Sequence, residues 1–345
     1  MLADEALIGS PVRQTILRLP EPDRTAYVTA LQRAPDVVEK DSPESRFLAV
    51  ENGNVEKAAK RLASYWDTRK EIFRERAYLP MSLDENGVFT VTEIELFNTG
   101  FFTPIPNHPS GRPVGAFDLS RLGAMYSFES FNEVRLRVAF YTFSILAESP
   151  VAQSDKILIL ISLCKSPRRD VMARVMRFAR DSLPIRNVEA HVMILPSVAD
   201  FGQFFQGVVD FFLLMIQPLA RSTLVHRGDT DVDVLEKVVD NGFLLDGIPS
   251  WMGGNWSVDM FEDWKTRRLS EEQQRYPGLE ESCHEVHPTR EAIDGNVSKQ
   301  PSVPIELSLL QEHVATLRAD NAALQAENMR LTRLLTLAIS VLRPG

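Results

Sequence analysis

The sequence predicts an α/β fold: a mostly parallel sheet with crossover helices, an N-terminal helical segment before it and a C-terminal coiled-coil helix after it. Three patterns predict this. Two short apolar runs, Lys156-ILILISL-Cys164 and His191-VMIL-Pro196, read as strands buried on both faces. Segments of helical periodicity precede, separate and follow them, which is the order of parallel strands joined by crossovers. Beyond a polar stretch, leucines recur every seven residues.

In chain order, residues 1–78 form the helical segment. Pro11, Pro20, Pro22 and Pro35 read as breaks in its first 40 residues. Asn54 caps a helix that starts at Val55. Val55, Ala58, Ala59, Leu62, Tyr65, Trp66, Ile72 and Phe73 share one broad face of it. Arg69 falls on the same face, so it needs a partner or must reach water. Residues 79–265 form the sheet lobe. Its first part, 79–123, is rich in Pro, Gly and Asn and reads as loops with short strands. A helix follows over about 131–146. The first buried strand comes next, then a basic amphipathic helix over about 169–183 and the second strand. A very apolar helix from Phe204 to about Gln217 ends at Pro218, and Thr223-LVH is a third, short strand. Residues 266–304 are polar, without apolar period, and read as a flexible linker.

Residues 305–342 carry the heptads. Leu310, Leu317, Leu324 and Leu331 occupy d positions, and Val314, Asn321, Asn328 and Leu335 occupy a positions. Leu at d with Val and Asn at a favours a parallel pair. A buried Asn bonds its twin only in that register. A homodimer is expected, and a heterodimer stays open because few opposite-charge pairs flank the seam. The bland alternative is a helix folded back on its own domain.

Composition excludes several classes. The chain has 345 residues, 44% hydrophobic and 25% charged, with a net charge of -9. Such a balance opposes nucleic-acid binding, and no basic helix precedes the zipper. Two cysteines and an N-terminus without an apolar leader suggest a reducing, cytoplasmic setting. Cys283, His284 and His287 cluster, but a metal normally needs a fourth ligand and a frame, so no metal is expected. No catalytic or phosphate-cradling motif is present, and the expectation is a protein without cofactor that is not an enzyme.

Ser45-RFLAVENGNVEKAAKRLASYWDTRKEIF, Gly111-Arg112-Pro113-Val114, the two apolar strands, the Phe204–Gln217 helix and Trp251-Met252-Gly253-Gly254 follow one another in an order and spacing that resembles the CRAL-TRIO lipid-binding family, which includes phosphatidylinositol-transfer-like proteins. The likeness covers roughly residues 40–265. It implies a pocket floored by the parallel sheet and closed by a movable gate helix. Gate candidates are Phe204, Phe205, Val208, Phe211, Phe212 and Met215. Candidates for the pocket wall are Phe140 and Phe143 on the preceding helix, and Ile159, Ile161, Met193, Leu195 and Leu224 on the strands. Phosphatidylinositol binders of the family carry an acid just after the Pro before the second strand, and a Lys at the start of the next. Ile185 and Thr223 stand there in this chain, with Arg186 and Arg221 beside them as candidate headgroup contacts. A sterol, tocopherol-like or other apolar ligand therefore stays open. Arg169, Arg174, Arg177 and Arg180, on one side of the basic helix, are candidates for docking on an anionic membrane surface. The expectation is a carrier of one lipid or other hydrophobic ligand that works as a zippered dimer, peripheral to membranes. The alternative is a scaffold that has lost lipid binding and recruits partners through the zipper.

Overall fold

The computed structural model describes residues 10–84, 86–122, 131–163, 169–197, 210, 213–214 and 220–276. The chain divides into Met1–His287 and Pro288–Gly345, and every described residue lies in the first unit. The heptads lie outside the described residues.

The N-terminal helices are α1 (Pro11–Leu17), α2 (Glu21–Arg33), α3 (Pro35–Asp41), α4 (Glu44–Val50) and α5 (Val55–Phe73). The prolines read as breaks start helices instead. Pro11, Pro22 and Pro35 sit in the first turns of α1, α2 and α3, where a missing N–H costs nothing and the fixed φ suits the helix. Asn54 caps α5 by accepting from the Lys57 N–H at 3.0 Å. The buried face of α5 is the expected one, with Arg69 inside it. Arg69 donates to Asp41 at 2.8 Å and to the Leu79 carbonyl at 2.5 Å, and its guanidinium lies 4.8 Å from the Trp66 ring centre.

A short helix not expected from the sequence, α6 (Val91–Asn98), opens on a Thr90/Glu93 capping box. The buried Glu93 also accepts a bidentate pair from Arg76 at 3.1 Å and a bond from Arg137 at 2.6 Å. It thereby ties three segments together.

The sheet holds β1 (Phe102–Ile105), β2 (Val114–Asp118), β3 (Ile157–Ser162), β4 (Val188–Ile194) and β5 (Ala220–Arg227), in that order across the sheet. β1 runs antiparallel to β2, and the remaining pairs are parallel. The turn into β2 uses Gly111 at φ +80° and is closed by His108 N–H to Arg112 O at 3.0 Å.

Helix α7 (Asn132–Leu146) joins β2 to β3, with the short α8 (Pro150–Ser154) after it, and α9 (Arg169–Asp181) lies between β3 and β4. α7 packs on one face of the sheet, called the first face. Phe143 stands 5.1 Å from Phe102 between ring centres, and a Cβ on Gly115 would come within 3.0 Å of Leu146. α9 packs beside α7, with Phe178 5.3 Å from Phe140, and α5 covers both. The N-terminal helices and the sheet share one core. On the second face, α10 (Asp231–Asp240) packs against β4 and β5, and Phe243 beyond it stands 4.8 Å from His191.

The last described helix, α11 (Val258–Arg275), corrects the linker boundary expected at residue 266. Its polar second half is docked through charge. Glu272 accepts from Tyr141, Ser82, the Leu83 N–H and Arg268 at 2.6–2.9 Å, and Glu148 accepts from Arg268 and Arg275. Tyr276 donates to Asp41 at 2.5 Å.

Candidate functional site

Side chains alternate between the faces of a strand, so the register sorts the candidate residues. On the first face one row is Phe117, Ile161, Val192 and Val225, and the next is Gly115, Ile159, Ala190 and Thr223. Ile159 and Ile161 thus belong to one apolar floor, as does Phe143, which packs onto it from α7. Phe140 sits a layer further out, 5.6 Å from Tyr65 and 5.8 Å from Phe73, between helices rather than on the sheet. The floor is buried through β4. On β5, Thr223 and Val225 are half-buried.

Met193 and Leu224 lie on the second face, in the rows Asp118–Ser162–Met193–His226 and Ala116–Leu160–His191–Leu224. The structure therefore does not bring them together with Ile159 and Ile161. Leu195 is buried just past the end of β4. Phe204, Phe205, Val208, Phe211, Phe212 and Met215 lie outside the described residues.

The cations are held differently from one another. Arg174 pairs with Glu71 at 2.9 Å and Glu133 at 2.5 Å, and Arg180 pairs with Asp181 at 2.7 Å. Arg61 donates to the carbonyls of Arg180 and Leu183 at the end of α9. Arg174 and Arg177 line a cleft of about 120 Å³ with the hydroxyls of Ser64, Thr68 and Ser182. Arg169 begins α9. Arg186 donates to Asn52 at 2.7 Å. Arg221 falls at the register break between the pairs Val188–Ala220 and Glu189–Ser222.

The second face holds a polar chain that the apolar pattern conceals. Lys156 pairs with Glu189 at 2.7 Å. Glu189 meets His191 Nε2 at 3.1 Å, and His191 Nδ1 lies 3.1 Å from His226 Nε2. Burial pushes His191 below the ordinary imidazole range, against the opposing pull of Glu189. Burial, then His191 and Lys237, lower His226 to about 4. Burial raises Glu189, but the bonds from Lys156 and His191 outweigh it and hold the carboxyl low. The signal in the sequence is a histidine inside each of two apolar strands. Pairing them requires the strand register, which the sequence does not state.

Among the described residues, no group of three or more His, Cys, Asp or Glu is placed to hold a metal ion. Cys283, His284 and His287 lie outside them. No described helix is long and apolar enough to cross a membrane. No family model matches the chain, and no curated protein matches it.

Proposed function

We propose that this chain binds a single lipid or other hydrophobic ligand on the first face of the sheet at β4 and β5, and presents it at membranes as a zipper-mediated dimer in the cytoplasm. The observation that carries the reading is the apolar floor at the β5 end. Ala190, Val192 and Ile194 line β4, and Val225 next to them is only half-buried. The connection between these two strands contains Phe204, Phe205, Val208, Phe211, Phe212 and Met215. Crossovers between parallel strands share one hand, and α7 packs on the first face with α9 beside it. The reading assigns the β4–β5 connection to that face, as the cover of the ligand. Each buried methylene contributes about 0.8 kcal/mol, so apolar contact alone can hold an acyl or polyprenoid chain.

The resemblance to CRAL-TRIO proteins supports the same reading through the order and spacing of its motifs along the chain. The headgroup candidates are Arg186 and Arg221. For membrane contact the reading favours Arg177 with Arg169, since Arg174 is already bound to two glutamates and Arg180 to Asp181.

Uptake of fluorescent lipid from vesicles tests the proposal. Wild type should load, and Phe212→Asp should abolish loading while the dimer persists. Equal loading by the variant overturns the gate assignment. No loading by wild type leaves the scaffold alternative, with the zipper recruiting a partner.

A further inference from the structure

The polar chain on the second face joins the last two strands of the sheet. β5 is an edge strand, paired with β4 alone among the described residues. Its pairing is irregular at its start, where the register shifts between Val188 and Glu189. Past that break, His226 bonds directly to His191 with ring planes 7° apart, and both rings are at most 4% exposed. We propose that the His191–His226 pair is an acid-sensitive latch that holds β5 on β4 at neutral pH and releases it on acidification.

The bond works without charge. Glu189 accepts from Nε2–H of His191, whose Nδ1 then accepts from Nε2–H of His226. An added proton goes to Nδ1 of His226. It leaves the bond in place but creates an imidazolium in a site closed to water. The groups that bear on the pair are Glu189 from β4, Lys156 ahead of β3, His108 from the loop after β1 and Lys237 from α10. The only carboxylate among them, Glu189, is already bound to Lys156 and His191. Opening the strand returns His226 to water, where imidazole takes its proton near pH 6.5. Acid therefore favours the open form, in a window from about 6.5 down to about 4. Glu93 and Glu148, held at about 2, stay ionised through that window, so the carboxylate clamps do not release with the latch.

The latch does not rest on the lipid-binding reading.

Hydrogen exchange of the full-length protein at pH 7.5 and pH 5.0, corrected for intrinsic exchange, tests the latch. The amides of 222–227 should lose protection by about 30-fold at pH 5.0, the effect of one proton of ordinary imidazole affinity, while those of β2 and β3 hold. His226→Gln should remove the dependence. Lys237→Met, at an exposed position, should leave the onset near pH 6.5, which the open strand sets, and should shrink the loss, because without that repelling cation the closed, protonated form costs less. Unchanged protection of β5 in wild type overturns the latch, as does a loss spread evenly over the sheet. The same dependence in His226→Gln also overturns it. If that variant does not fold, an undiminished loss in Lys237→Met overturns the latch in its place. A chain that opens at pH 5.0 yet never loads lipid would sink the functional reading and leave the latch standing.

Discussion

Arg69 shows what a single residue can reveal. Its place on the apolar face of α5 demands a partner, and the structure supplies Asp41, itself 2% exposed at its side chain. The partner is not legible in the sequence, because Asp41 lies 28 residues away on another helix. Breaking such a pair strands a buried charge, so Arg69→Met should cost about 3–5 kcal/mol in urea unfolding. Two carboxylates should set the acid limit of stability. Despite burial, Glu93 is held at about 2 by Arg76, Thr90 and Arg137, and Glu148 at about 2 by Arg268 and Arg275. Both lie below the ordinary carboxylate value of 4.5 in the folded chain. Their stabilisation is therefore present above that value and lost as pH falls from about 4.5 toward 2. The urea midpoint should fall across that range, and Glu93→Gln should flatten part of the fall. The histidine chain has only a faint signal in the sequence, since one polar residue in an apolar run is ordinary and its meaning lies in the pairing of strands.

Elements are legible where apolar periodicity makes them and hidden where charge or geometry does. α5, α7 and α9, together with β3 and β4, follow from periodicity. α11 beyond residue 265 does not, because Arg268, Glu272 and Arg275 dock it in place of an apolar stripe. The first three helices are obscured by prolines that open them. The Trp251-Met252-Gly253-Gly254 segment forms a tight turn, with Gly253 at φ +92°. A Cβ on Gly254 would stand 2.1 Å from the Ile248 carbonyl oxygen. Gly254→Ala should therefore cost about 1–3 kcal/mol, the usual penalty for overpacking, and thermal unfolding would show it. Arg174→Ala removes two ion pairs that are only partly buried, and should cost no more than about 1 kcal/mol.

At the scale of the molecule, the alternation of strands and helices foretells the parallel sheet, and β5 falls where the third strand is expected. The antiparallel β1 and the short β2 are harder to see, since they are four and five residues long in a Pro- and Gly-rich region. Which candidate wall residues share a face depends on register, and one step along a strand reverses the answer. That is why Met193 and Leu224 stand apart from Ile159 and Ile161. The heptads propose a dimer. Leu324→Lys should dissociate it in sedimentation experiments, because a charge at a d position has no partner in the seam. Native mass spectrometry of the full-length protein, followed by organic extraction, tests the central claim most directly. The account predicts a dimer that carries about one lipid per chain. An empty protein that takes up no lipid from vesicles would contradict it.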